Sequence, residues 1–241
     1  MKNFGVKITY LYNSGFIIET TQHLLLFDYY KEDANEKGQR GLIPKQLLNN
    51  EKKVIIFASH GHVDHFNPVI LEWMNNRTDL NYVLSDDIKP GRIDERVKLI
   101  APYEQLKIGE LNMKSYGSTD QGVSFLVNVD GLTIFHAGDL NWWYWWDDTK
   151  EEMEKAEHWF KKEIDKIKDE KINLAFFPVD PRLEHNYKVG GEYFVQQLHP
   201  EVLIPMHFGT EFEIANKFAE LMKETDTRVI KLNSSPQEII L

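Results

Sequence analysis

Short apolar runs broken by turn residues open the chain. Val6 to Leu11, Phe16 to Glu19 and His23 to Phe27 are rich in branched and aromatic residues. Asn13-Ser14-Gly15 and Thr21-Gln22 interrupt them, and this spacing predicts two adjacent antiparallel hairpins. The stretch 29–50 is more polar, carries Gly38 and Gly41, and predicts a loop followed by a short helix from Pro44. Val54 to Ala58 is a continuous apolar run of strand length. Asn67-Pro68 reads as an N-cap and first helical residue, predicting a helix over 68–76. Strands are predicted at 81–84, 97–100, 111–116, 122–129 and 132–136, with Asp130-Gly131 as a hairpin signal between the last two. Over 150–169, Met153, Ala156, Phe160, Ile164 and Ile167 recur at three- and four-residue steps among charged residues, which predicts an amphipathic helix. A strand at 172–179, a helix at 190–198, a strand at 202–206, a helix at 211–224 and a strand at 228–232 complete the pattern. Antiparallel pairing early and βα alternation late predict a layered α/β protein with mixed sheets. No internal repeat or linker-like tract is visible in the sequence.

Composition narrows the class. At about 150 residues per domain, 241 residues make one large domain or two small ones. The chain has no cysteine, which excludes disulfide scaffolds, thiolate metal sites and cysteine nucleophiles. A hydrophobic content of 42% supports a full core. The net charge of −10 argues against a nucleic-acid or anionic-membrane partner. No apolar run approaches the roughly 18 residues of a membrane span, and the first residues lack the apolar core of a signal peptide. A soluble, cytoplasmic protein is expected.

Five apolar strands lead to a metal-type ligand. Leu24 to Phe27 ends in Asp28, Val54 to Ser59 in His60, Leu132 to Phe135 in His136 and Asp139, Leu174 to Val179 in Asp180, and Val202 to Met206 in His207. Ligand sites of open α/β sheets lie beyond one end of the strands. The densest cluster is His60-Gly61-His62-Val63-Asp64-His65, which holds three of the nine histidines. In an extended turn His60 and His62 grip one ion from the same side, while Asp64 and His65 point towards a second, and Gly61 permits the tight backbone.

His60-x-His62-x-Asp64-His65 after a buried strand resembles the signature of the metallo-β-lactamase-fold superfamily. Asp28, Asp139 in His136-Ala137-Gly138-Asp139, and His207 in Pro205-Met206-His207-Phe208-Gly209 match further family positions in order. The resemblance covers essentially the whole chain and is nearest the compact bacterial branch that includes L-ascorbate-6-phosphate lactonase. It implies a single domain over 1–241 with a four-layer αββα sandwich of two mixed sheets and a dinuclear metal centre. It assigns Asp64, His65, Asp139 and His207 to one ion and His60, His62 and the bridging Asp139 to the other.

One departure stands out. The family histidine expected near residue 119 is absent, and the sequence there reads Tyr116-Gly117-Ser118-Thr119-Asp120-Gln121. Asp120 or water is expected to fill the position, since a hydroxyl such as that of Thr119 is a poor zinc ligand beside imidazole. The first site is therefore expected to be weak, with one divalent ion held readily and a second only at high metal. Zinc is the leading metal, with Mn²⁺ and Fe²⁺ as alternatives.

The resemblance implies hydrolysis of a small-molecule ester, lactone, amide or phosphodiester. Asp64 is expected to orient the attacking water, and His185 to be a proton donor to the leaving group. Asp28 and His136 are expected behind the ligands. Trp142 and Trp143, in a run of four tryptophans after Asp139, and Arg182 are candidates for substrate contact, the aromatic rings suiting a sugar or acyl group and the guanidinium an anion. Two other functions compete: a diiron redox protein of the same fold, and a non-catalytic metal- or ligand-binding relative with a degenerate first site.

Overall fold

Hairpins form where the turn residues fall. A computed structural model describes residues 3–31, 44–48, 50–91 and 94–241. The chain divides into two compact units: Met1–Ala101 with Ser234–Leu241, and Pro102–Asn233.

The first unit holds one seven-stranded sheet. β1 (Lys7–Tyr10), β2 (Phe16–Glu19) and β3 (His23–Phe27) form the two predicted hairpins, sharing β2. β4 (Lys53–Ala58), β5 (Asn81–Ser85) and β6 (Val97–Ile100) add in parallel to β3. Short α1 (Lys45–Leu48) follows Pro44, while the loop expected before it, with Gly38 and Gly41, lies outside the described residues beyond position 31.

The segment predicted as a helix over 68–76 is a 3-10 helix, Pro68–Asn75, capped by the Asn67 side chain accepting from Val69 N–H. Its tighter winding puts Ile70 and Trp73 in line, and both are buried in the core with Leu24, Leu26, Val54, Ile56 and Leu84. Tyr82 OH donates to the Ile70 carbonyl at 2.7 Å, tying this helix to β5.

The second unit holds the other seven-stranded sheet. β7 (Gln105–Ile108), β8 (Leu111–Tyr116), β9 (Ser124–Val129) and β10 (Leu132–His136) run antiparallel. β11 (Leu174–Pro178), β12 (Val202–Met206) and β13 (Arg228–Val229) then continue in parallel. The amphipathic segment is α2, Lys150–Ile167, opened by a capping box in which Thr149 and Glu152 satisfy each other's backbone N–H. α3 (Val189–Leu198) and α4 (Phe212–Leu221) lie at the two later predicted helices. Phe160 of α2 packs among Trp142, Phe177 and Tyr193, an aromatic layer that seats the helices on the sheet.

Two strands went unread in the sequence: β7, and β14 (Gln237–Ile240), which pairs antiparallel with β1 at the edge of the first sheet. With β14 in place, the two sheets share one plan. Each has four antiparallel strands followed by three added in parallel, β14-β1-β2-β3 then β4-β5-β6, and β7-β8-β9-β10 then β11-β12-β13. The change from antiparallel to parallel falls at β3 and at β10. The loops leaving these strands and their parallel neighbours carry the candidate chemistry.

Candidate metal centre

In the first unit, Asp28 ends β3 with φ 43°, a left-handed backbone that turns the chain out of the strand. Its buried carboxylate accepts from Ser59 N–H and Ser59 Oγ, each at 2.7 Å. His65 Nδ1 lies 2.7 Å from Asp28 Oδ2, so the ring donates from Nδ1 and its lone pair sits on Nε2. Ser59 Oγ also lies 3.0 Å from His60 Nδ1. With its own hydrogen given to Asp28, that hydroxyl accepts from His60, and the His60 lone pair likewise falls on Nε2. One buried carboxylate thus sets the orientation of two imidazoles.

The donor atoms then converge. His60 Nε2 lies 3.0 Å from His62 Nδ1, and His65 Nε2 lies 3.5 Å from Asp64 Oδ2. Asp64 is held by Asn13 Nδ2, which donates to Oδ2 at 3.0 Å. Gly61 N–H donates to Asp87 Oδ2 at 2.8 Å, fixing the turn from the end of β5.

In the second unit, His207 follows β12 with φ 63°. Its Nε2 lies 3.3 Å from Asp139 Oδ1. Its Nδ1 donates to Asp180 Oδ2 at 3.0 Å. Burial alone would raise the Asp180 carboxyl, but hydrogen bonds from His207 and Arg182 outweigh it and hold the group below the ordinary carboxylate range. Asp180 therefore stands behind His207 as Asp28 stands behind His65. Asp120 is exposed and offers a carboxylate oxygen within 4.8 Å of one on Asp139. Thr119 Oγ1 donates to the Asn141 carbonyl at 2.6 Å and accepts from Asn141 N–H at 2.9 Å, so its hydroxyl braces the turn after Asp139.

These donors suit a divalent ion. Metal–nitrogen and metal–oxygen distances near 2.0–2.1 Å in a tetrahedron put neighbouring donors about 3.3 Å apart. The within-unit separations of 3.0, 3.5 and 3.3 Å bracket that value. All are imidazole or carboxylate groups, as zinc, manganese and iron accept.

The remaining candidates are placed as follows. His136 is fully buried, stacks on Phe176, and its Nδ1 accepts from Gly138 N–H at 3.2 Å, in the turn that carries Asp139. Trp142 is buried against Phe160 and Tyr193. Trp143 is half-buried, meets the His207 ring edge-on, and donates Nε1–H to the Asp139 carbonyl at 3.0 Å. Arg182 is exposed, with Nε and Nη2 bonded to Asp180. His185 is exposed beside Glu184, whose φ 51° and ψ −120° are strained for a residue with a Cβ.

Sequence reasoning noted Asp180 as a strand end without giving it a role, and it passed over Ser59, Asn13 and Asp87. Asp180 shared its signal with Asp28, a carboxylate closing a buried strand. The other three are joined to the ligands by bonds across loops, and no local pattern marks them.

Residues 7–156, more than half the chain, match the beta-lactamase superfamily domain, and the protein belongs to that family. A UPF0173 metal-dependent hydrolase of Methanosarcina mazei is 23% identical over 255 residues, covering 98% of each chain. Among solved structures, Igni18, a metallo hydrolase of the archaeon Ignicoccus hospitalis, shares 18% identity at a TM-score of 0.69 over 98% of each chain. YhfI of Bacillus subtilis, a metallo-β-lactamase fold protein, shares 12% at a TM-score of 0.61 over 99% of each. The two mixed sheets with their helices are the metallo-β-lactamase fold. No described helix is long and apolar enough to cross a membrane.

Proposed function

We propose that the protein is a metal-dependent hydrolase of small molecules. Its proposed ligands are His60, His62, Asp64 and His65 from the first unit and Asp120, Asp139 and His207 from the second. One observation carries the reading. In each unit a metal-type donor pair sits at metal-like separation, and one imidazole of that unit is oriented by a buried carboxylate, His65 by Asp28 and His207 by Asp180. Family membership and the likeness to the Methanosarcina metal-dependent hydrolase support it.

A bound divalent ion lowers the pKa of water to about 7 and polarises the bond under attack. The protein's own contribution is placement. Asp28 keeps the His60 and His65 lone pairs on Nε2, and Asn13 donates to Asp64 Oδ2, steadying the carboxylate proposed to orient the attacking water. Trp143 offers a flat apolar face beside His207 against which a sugar ring or acyl group can lie. His185, exposed in the 3-10 helical segment Pro181–Asn186 after Asp180, is the proposed proton donor to the leaving group. Zinc is the proposed metal, with the Asp120 position held more weakly than the imidazole positions because it supplies an exposed carboxylate.

The test is a screen of lactones, esters, amides and phosphodiesters with added Zn²⁺, Mn²⁺ or Fe²⁺, with metal content and visible absorption measured in parallel. Metal-dependent hydrolysis abolished in D64A and H207A is the expected result. Uniform inactivity with metal bound overturns the hydrolase reading in favour of a binding protein, and an iron-dependent visible spectrum overturns it in favour of a diiron centre.

A further inference from the structure

Five side chains of the second unit, His207, Asp180, Arg182, Trp145 and Trp143, close a ring of contacts beside Asp139. His207 Nε2 faces Asp139 Oδ1 at 3.3 Å, and His207 Nδ1 donates to Asp180 Oδ2 at 3.0 Å. Arg182 donates from Nε to both Asp180 oxygens, at 3.0 and 2.9 Å, and from Nη2 to Oδ2. The Arg182 guanidinium lies over the Trp145 ring at 5.7 Å. Trp145 stacks on Trp143 with centroids 5.8 Å apart and planes 10° from parallel. Trp143 closes the ring, edge-on to His207 at 5.8 Å and bonded through Nε1 to the Asp139 carbonyl.

We propose that Arg182 is a positioning residue, held on Trp145 and Trp143, that sets the metal affinity of His207 through Asp180. The inference rests on the metal-dependent reading of the site.

Asp180 is 1% exposed, so its carboxylate is stripped of water. The His207 imidazole and the Arg182 backbone N–H each hold one of its oxygens. The guanidinium adds planar donors to both oxygens and so tightens the plane of the carboxylate. With the plane fixed, Oδ2 stays in line with His207 Nδ1, and the ring stays turned with Nε2 beside Asp139.

Arg182 has a largely solvent-exposed side chain, 62%, and an exposed arginine would ordinarily sample many rotamers. Two things prevent that here. Its Nε and Nη2 are bonded to the buried Asp180 carboxylate, and its guanidinium rests on an aromatic face. Trp143 is bonded to one expected ligand and in ring contact with the other, so displacement of Trp145 reaches both. Arg182 thus acts through Asp180, with two nitrogens committed to it, and not on substrate.

The test uses the full chain stripped with EDTA. Zinc chloride is titrated into wild type, R182A and R182K, with tryptophan emission and zinc retained after desalting as readouts. Far-UV circular dichroism and the thermal midpoint, both without metal, serve as controls for folding. Loss of a partner behind a metal ligand typically lowers affinity about 10–100-fold. R182A is expected to bind at least one zinc equivalent about tenfold more weakly with unchanged secondary structure. R182K, which keeps the charge but lacks the fork, is expected to remain several-fold weaker than wild type.

Wild-type zinc affinity in either variant overturns the proposal and leaves the hydrolase reading standing. Should R182A not fold, R182K alone decides by the same criterion. Failure of the wild-type chain to bind zinc, manganese or iron overturns the metal reading and the positioning role with it.

Discussion

Two buried aspartates organise the candidate chemistry residue by residue. Asp28 and Asp180 each close a strand, and each holds the Nδ1 of a histidine whose Nε2 faces a carboxylate. Asp28 also takes both donors of Ser59, as Asp180 takes the backbone N–H and guanidinium of Arg182. Replacing it with alanine leaves the Ser59 N–H and the His65 Nδ1–H buried without that acceptor, at about 1–3 kcal/mol for each such group. D28A should therefore lower the unfolding free energy of the metal-free protein by about 2–4 kcal/mol in urea titration. Its zinc affinity should fall about 10–100-fold. A wild-type urea midpoint in D28A would show that this network contributes nothing to the fold.

At the scale of elements, close packing of α3 against the turn after β10 supports the Asp139 position. A Cβ on Gly190 would sit 2.1 Å from Asn141 Oδ1 and 3.0 Å from Trp142 N. Asn141 in turn is bonded to Thr119. G190A must push Asn141 aside, and overpacking of this kind costs about 1–3 kcal/mol. The variant should show that loss in denaturant and, because the turn carries Asp139, weaker zinc retention than wild type.

The chain just beyond α2 is pinned to β8 by Glu170, which accepts from Lys114 Nζ at 2.6 Å and Tyr116 OH at 2.7 Å. Partial burial would raise the Glu170 carboxyl, but these bonds outweigh it and hold it below its ordinary range. A depressed folded pKa means the contribution is complete above the unfolded value, about 4.3, and is lost as pH falls through the folded one. The stability difference between wild type and E170Q should shrink between about pH 6 and pH 3. A difference that stays constant across that range would show that the Glu170 charge has no part in it. The start of α2 is simpler: T149A removes the capping box and should cost about 1 kcal/mol in the same assay.

For the whole molecule, metal and fold are linked. The expected ligands come from strands distributed over most of the chain, so a bound ion favours the native state over the unfolded one. Zinc at 100 times its dissociation constant should add about 2.7 kcal/mol to stability. The urea midpoint should rise on adding zinc to EDTA-treated wild type, and the rise should shrink in H207A and D139N. Equal midpoints with and without metal would mean that no native site is being filled. The net charge of −10 also takes on a local meaning, since Asp64, Asp139 and Asp120 are part of it and would face bound cations.

Much of this was legible along the chain. Runs such as Leu24–Phe27 and Val54–Ala58 announced buried strands, Asn13-Ser14-Gly15 and Asp130-Gly131 announced turns, and the apolar steps of 153–167 announced α2. These signals are local, set by backbone preference and side-chain periodicity within a few residues. Candidate donors such as His60 and His207 stood out for the same reason, because each follows a strand the pattern had already located. Tertiary structure alone decided the rest. β14 pairs with β1 from the far end of the chain, and nothing within Gln237–Ile240 names its partner. The shared plan of the two sheets is a matter of strand direction, which sequence similarity does not record. Asp180 gained its role only when folding brought His207 to its Oδ2, and Asn13 only when its left-handed turn reached Asp64. Residue type and order along the chain specify which groups can bind a metal; which of them are held, and by what, depends on contacts between residues far apart in sequence.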